Sequence, residues 1–280
     1  MGLLSIFGDT YSYSESKPHI PTIHRKGLIQ FLKLYSKYYM KKLHDPPVIW
    51  GDEIEYHVIS LKESTKKAQL QCDAVYLDGK FEKLLEKPNF ILHPEYGAWM
   101  VETTPSQPFL YCCHLDPIIN NMKERRKVIN QLLENDDKLF TIPVFPLLGV
   151  GKDFFLKKEG KISYDVTNSK FVNDEVINPY IRFPTLTKNI RERREENVEI
   201  LIPLFIDKNT KVEKTEEEPF PGFIYMDAMP FGMGNCCLQT TFATKDINHA
   251  RFFYDQMGII APMIVNLKFF GYINVYARFL

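Results

Sequence analysis

Apolar positions recur with helical spacing between residues 22 and 42, at Leu28, Phe31, Leu32, Tyr35 and Tyr39, with lysines between them. That spacing predicts an amphipathic helix, which His44-Asp45-Pro46-Pro47 brings to a stop. The pattern then switches. Val48 to Leu61 is rich in Val, Ile, Trp and Tyr and reads as a strand. A turn at His93-Pro94-Glu95-Tyr96-Gly97 leads into a second strand over Ala98 to Thr103. Further strands are expected over Thr141–Phe145, Val198–Ile206, Phe223–Met226 and Asn235–Phe242. A helix capped by Asp116 should extend to about Glu134, with Ile118, Ile119, Met122, Ile129 and Leu133 as its apolar stripe. The last clear helix should be capped by Asp246 and present Ile247, Ala250, Tyr254, Met257 and Ala261 on one face, with Pro262 kinking it. Residues 158–170 and 207–220 read as surface loops, and neither marks a change of composition. Strands and helices alternate without a regular βαβ rhythm, so the expected class is α+β with a largely antiparallel sheet and flanking helices.

Composition narrows the function classes. Of 280 residues, 45% are apolar and 25% charged, which is ordinary globular usage and excludes disorder as the dominant state. Thirty-five Lys+Arg balance 35 Asp+Glu. A dedicated nucleic-acid binder would need an excess of positive charge to neutralise phosphates, so none is expected. The five cysteines, Cys72, Cys112, Cys113, Cys236 and Cys237, include no CxxC pair. Neither a disulfide framework nor a tetrahedral zinc site is indicated. The most apolar stretch, 259–280, is interrupted by Pro262, Lys268 and Arg278. With no secretory leader recognisable, a soluble cytoplasmic protein with reduced thiols and no membrane association is expected. Neither GxGxxG nor GxxxxGK[ST] occurs, so no Rossmann or P-loop site is supported.

Candidate chemistry concentrates in three segments. In Trp50-Gly51-Asp52-Glu53-Ile54-Glu55-Tyr56-His57-Val58, strand alternation puts Glu53, Glu55 and His57 on one face. Trp50, Ile54, Tyr56 and Val58 take the other, with Asp52 as the exception among them. Two carboxylates about 7 Å apart on one face repel unless water or a cation intervenes. Solvent exposure of that face and magnesium, which prefers hard oxygen ligands, are the two readings. Glu95 in its turn and Glu102 in an otherwise apolar strand add two more carboxylates. A charge buried unpaired there costs several kcal/mol. The third segment runs from Phe231-Gly232-Met233-Gly234 to Phe242. Its glycines permit close approach to a ligand, and alternation puts Asn235, Cys237, Gln239 and Thr241 on one polar face suited to a zwitterion. Cys237 alone reads more simply as a small buried hydrophobe. Finally, helical spacing places Arg126 within the apolar stripe of its helix, where it must snorkel or meet an anion.

Trp50-Gly51-Asp52-Glu53-Ile54-Glu55-Tyr56, His93-Pro94-Glu95-Tyr96-Gly97, Glu102-Thr103-Thr104-Pro105 and Asn121-Met122-Lys123-Glu124-Arg125-Arg126 stand in an order that resembles the eukaryotic glutamate–cysteine ligase catalytic subunit family. So do Arg182-Phe183-Pro184-Thr185-Leu186-Thr187, Ile224-Tyr225-Met226-Asp227-Ala228-Met229 and Phe231-Gly232-Met233-Gly234. The resemblance implies a glutamine-synthetase-like fold with a curved antiparallel sheet. It implies ATP-dependent joining of the γ-carboxylate of L-glutamate to the amine of L-cysteine through a γ-glutamyl phosphate, the first step of glutathione biosynthesis. Carried over by motif, Glu53, Glu55, Glu95 and Glu102 become catalytic magnesium ligands, with Gln239 as a further one, and Met233, Cys237, Thr241 and Arg126 become substrate-binding residues. A modifier subunit or a homo-oligomer is a possible partner. Three positions depart from the family pattern: Pro230 and Glu195 where glycine is usual, and Leu147 where arginine is usual. The ending also departs, so residues 1–280 are expected to be the N-terminal portion of one ligase catalytic domain, incomplete at the C-terminus, with 266–280 an aberrant tail. The alternative is a catalytically inactive truncated fragment or pseudo-enzyme that retains magnesium binding or subunit association only.

Overall fold

The computed structural model describes residues 9–39, 48–86, 88–110, 115–134, 136–157, 165–212 and 220–276, with side chains of the last helix described through residue 263. In chain order the elements are α1 (Tyr13–Ser16), α2 (Ile20–Tyr38), β1 (Ile49–Lys62), β2 (Lys67–Gln71), α3 (Tyr76–Glu82), β3 (Phe90–Pro94), β4 (Met100–Pro105), β5 (Phe109–Leu110) and α4 (Asp116–Leu132). There follow β6 (Asp137–Phe140), β7 (Phe155–Leu156), α5 (Arg182–Arg194), β8 (Ile200–Pro203), β9 (Phe223–Met226), α6 (Pro230–Met233), β10 (Leu238–Phe242) and α7 (Ile247–Tyr276). The chain forms two compact units: residues 1–20, 51–109 and 113–241 make the first, and 21–50, 110–112 and 242–280 the second. The expected loops at 158–170 and 207–220, where described, both fall inside the first unit.

The first unit is built on β1. It pairs antiparallel with β4, β2 and β6, and β10 also pairs with it. Beyond β4 lies β3, antiparallel, and beyond β2 lies β7, parallel. The class is therefore α+β with an antiparallel-rich sheet, as the patterning indicated. Alternation along β1 divides two cores. Tyr56 and Val58 face one side, where they meet Leu77 of α3, Val101 of β4, Ile129 of α4 and Leu139 of β6, all nearly inaccessible to solvent. Burying each such aliphatic side chain contributes about 1.5–3 kcal/mol. Ile59 belongs to a second core with Tyr96, Trp99, Met100, Val176 and Phe183. Beside these, β8 and β9 form a separate antiparallel pair.

The second unit contains most of α2 and α7. Asp246 accepts a hydrogen bond from the His249 backbone N–H at 2.8 Å, which bears out the expected cap. Its packing face differs from expectation, because Tyr254 is exposed and Phe253 lies 5.2 Å, centroid to centroid, from Phe242.

Several expectations need correction. The strand expected at Thr141–Phe145 is absent, and β6 instead occupies Asp137–Phe140, in register with His57 to Ser60 of β1. Pro143 has no N–H to donate to a ladder, while the polar Asp137 and Lys138 disguise the true strand. Residues Phe90–Pro94 form β3 because β4 supplies their partner, so His93 and Pro94 lie in a strand where a turn is expected. Helix α4 starts on Asp116 itself, with Leu115 at the cap position and no side-chain cap bond. Finally, the buried line along α4 is Ile118, Asn121, Arg125 and Ile129, so Arg125 occupies the stripe and Arg126 lies outside it.

Candidate functional site

The register of β1 against β4 sets the site. Glu55 stands directly opposite Glu102, and Glu102 stands opposite His93 of β3 on its other side. Side chains directly opposite in an antiparallel pair have Cβ atoms about 4.5–5.5 Å apart, and like charges there are destabilising. Glu95 enters from the turn between β3 and β4. Glu55, Glu95 and Glu102 each bring an oxygen to a common point, all within 4.8 Å of one another. Glu55 and Glu102 are buried, Glu95 half-buried. Glu53 lies outside that group, but its charge reaches both Glu95 and Glu102.

Two of the carboxylates, Glu55 and Glu95, are held by hydrogen bonds. Glu55 accepts three hydrogen bonds: from the Cys237 backbone N–H at 2.9 Å, the Cys237 thiol at 3.3 Å and the Gln239 side-chain amide at 3.2 Å. A further bond from the Glu55 N–H to the Cys237 carbonyl at 3.1 Å joins the two segments. Glu95 accepts the N–H of Tyr96 at 2.8 Å. The turn behind it is pinned where Asn178 N–H donates to the Tyr96 carbonyl and Ala98 N–H to the Val176 carbonyl, both at 2.8 Å.

The electrostatics follow from burial and crowding. Burial, then the charges of Glu95, Glu53 and Glu55, pushes Glu102 up to about 7. Burial and the neighbouring Glu55 and Glu53 also raise Glu95, against the pull of the Tyr96 N–H. Desolvation and the facing Glu55 carboxylate push the Cys237 thiol up to about 11. Among the described residues, no ion pair joins any of these four glutamates to a lysine or arginine. A hard divalent cation fits this donor set, since it offers carboxylate oxygens and, among the described residues, no paired lysine or arginine.

The other predicted residues are placed less uniformly. Gln239 of β10 and Cys237 just before it both reach Glu55, as the alternation indicated, and Cys237 is exposed rather than the small buried hydrophobe expected of it alone. Asn235 lies before the strand, and its side-chain amide turns back to the Phe231 carbonyl at 3.2 Å. Met233 and Thr241 are exposed. Arg126 is not brought to the cluster. Its guanidinium donates to the Leu139 carbonyl at 2.9 Å, while α4 covers the sheet face that carries Tyr56 and Val58.

Sequence reasoning passed over two features. Asp52, the charged exception on the apolar face, pairs with Arg125 at 2.6 Å, both side chains fully buried. Arg125 also donates to Asn121 Oδ1 at 2.7 Å and to the Thr103 carbonyl at 3.4 Å. The anomaly of Asp52 was visible in the alternation, but its partner was not. The second feature is Trp99, read only as part of an apolar strand. Its indole is fully buried and donates to His57 Nδ1 at 2.7 Å. Gly234 accordingly makes its close approach to that indole: a Cβ at Gly234 would come within 2.9 Å of Trp99 Cζ2.

Comparison with known proteins agrees with the motif order. Residues 2–269 match the family profile for glutamate-cysteine ligase. The chain is 40% identical over 288 residues to the glutamate–cysteine ligase catalytic subunit of Homo sapiens, covering 96% of this chain and 44% of that protein. It is 37% identical to the glutamate–cysteine ligase of Candida albicans, with 96% of this chain and 42% of that protein covered. The corresponding enzyme of Saccharomyces cerevisiae is 31% identical, over 95% of this chain and 43% of its own length. The chain thus spans somewhat less than half the length of these relatives. Among the described residues, no helix is long and apolar enough to cross a membrane.

Proposed function

The chain belongs to the glutamate–cysteine ligase family, and on that premise we propose that it is the part of a cytoplasmic ATP-dependent ligase that carries the acidic cation site. The reaction is the joining of the γ-carboxylate of L-glutamate to the amine of L-cysteine, which opens glutathione synthesis. The reading extends to a glutamine-synthetase-like sheet. The observation that carries the proposal is the convergence of Glu55, Glu95 and Glu102 oxygens within 4.8 Å.

In this reading Glu55, Glu95 and Glu102 hold magnesium, Glu53 deepens the negative field, and Gln239 steadies Glu55 from the side. Bound magnesium would neutralise charge on the ATP phosphates and on the substrate carboxylate. The residues divide the remaining work. Glu55 is fixed by the Cys237 N–H and thiol, so its free lone pairs point in one direction. Met233, Cys237 and Thr241 line the amino-acid side of the site. Cys237 serves in binding, because a thiol raised to about 11 is protonated at neutral pH and is no nucleophile. Glutamate accepts the γ-phosphoryl group first, and the cysteine amine then displaces phosphate from the acyl phosphate. A modifier subunit or a second copy of the chain is compatible with this reading.

The test is ADP release by the purified protein. Release should require L-glutamate and L-cysteine together and should be lost in Glu55→Gln and Glu102→Gln. ADP release that ignores either amino acid, or that survives both substitutions at ordinary magnesium, overturns the proposal.

A further inference from the structure

We propose that Trp99 is a positioning residue for the carboxylate cluster, a rigid spacer that sets the separation of the segments carrying Glu95, Glu55 and the bonds that hold Glu55. The proposal rests on the cation-site reading above and adds a residue that does not itself touch the cation.

The indole meets three segments at once. It donates its N–H to His57 Nδ1 at 2.7 Å, and the two rings lie nearly parallel, 20° apart, with centroids 6.3 Å apart. His57 is two residues along β1 from Glu55. Against one edge of the indole lies Gly97, two residues after Glu95, where a Cβ would come within 3.0 Å of Trp99 Cε2. Against its outer edge lies Gly234, three residues before Cys237, where a Cβ would come within 2.9 Å of Cζ2. The Trp99 carbonyl also accepts the Val58 N–H at 2.8 Å, which fixes its backbone to β1.

This arrangement has a physical purpose. Three crowded carboxylates that share a charge sign, two of them buried, push apart, and a loop and a turn yield more readily than a paired strand. The Glu95 turn and the 234–237 loop between α6 and β10 are the yielding parts. Both close down on the same inextensible ring, which His57 holds by a hydrogen bond, so the ring sets how near each segment comes to β1 and with it where Glu95 and the groups that hold Glu55 stand. Outer partners that orient metal ligands in this way typically account for about 10–100-fold in metal affinity.

The experiment is manganese binding by the full chain, with free Mn2+ followed by electron paramagnetic resonance, alongside thermal unfolding without metal. Trp99→Phe keeps an aromatic filler but loses the N–H and the outer ring that meets Gly234. We expect its Mn2+ dissociation constant to rise about 10-fold or more. A purely structural role would lower the unfolding midpoint and leave the affinity of the folded protein within twofold of the parent, and that result overturns the proposal. If Trp99→Phe does not fold, the pair His57→Leu and His57→Asn decides. Leucine removes the acceptor and should weaken binding, whereas asparagine places Oδ1 where Nδ1 stood and should restore it. Equal affinities in the two overturn the proposal. Glu55→Gln separates the levels: unchanged Mn2+ binding there removes the cation site and the Trp99 proposal with it. Lost binding there with normal binding in Trp99→Phe removes the Trp99 proposal alone.

Discussion

Replacing Glu102 by glutamine should make the metal-free protein more stable at alkaline pH, an unusual outcome for a residue of the proposed cation site. In the folded chain burial and three neighbouring carboxylates raise Glu102 from its ordinary value of 4.5 to about 7. A raised carboxylate binds its proton more tightly when folded than when unfolded, so stability is lost as pH climbs from about 4.5 to 7. The full loss, present above pH 7, is ~3 kcal/mol. Glutamine keeps the shape and carries no charge. It should therefore recover most of that ~3 kcal/mol at pH 8 and nothing below pH 4.5. For a chain of this size the gain corresponds to an unfolding midpoint higher by roughly 6–10 °C. The assay is thermal unfolding by circular dichroism in EDTA at pH 4.5, 6 and 8, for the parent and Glu102→Gln. Adding Mg2+ at about 1,000 times its Kd should reverse the order at pH 8, because it then adds about 4.1 kcal/mol to the parent that binds it. A difference between the two proteins that stays constant from pH 4.5 to 8 in EDTA would refute the electrostatic reasoning.

Two further predictions concern the scaffold. Arg125→Met leaves Asp52 buried without its partner and should cost about 3–5 kcal/mol in a denaturant titration. Asp52→Asn added to it should recover part of that, and a loss below 1 kcal/mol would mean the pair is not desolvated as described. Glu195 ends α5 in the left-handed region, at φ 65°, with its N–H bonded to the Arg191 carbonyl. Glycine takes that conformation freely, so Glu195→Gly should raise stability by about 1 kcal/mol. A destabilised variant would show that the glutamate side chain contributes more than its backbone strain costs.

What was legible in the sequence was local and periodic. Alternation over Trp50 to Val58 placed Glu53, Glu55 and His57 opposite Tyr56 and Val58, because a strand's two-residue repeat is fixed by its backbone whatever it later pairs with. The same repeat put Cys237 and Gln239 on one face, and both meet Glu55. Helix α4 was also legible, but not its buried line. Two of its four buried residues, Asn121 and Arg125, are polar, and an apolar stripe cannot mark positions whose burial is compensated by a distant strand. The short β6, with Asp137 and Lys138, was missed for the same reason, since its strand character comes from pairing with β1.

By itself, then, the sequence determined the long helices and β1, which side chains share a face along that strand and, through the order of its motifs, the family. Only the tertiary structure decided that Glu102 sits opposite Glu55, that Glu95 turns in to join them, and that a single indole meets both Gly97 and Gly234. The physical reason is range. Periodicity is set within a few residues by backbone geometry, whereas register and charge crowding arise between segments brought together by burial of the whole sheet.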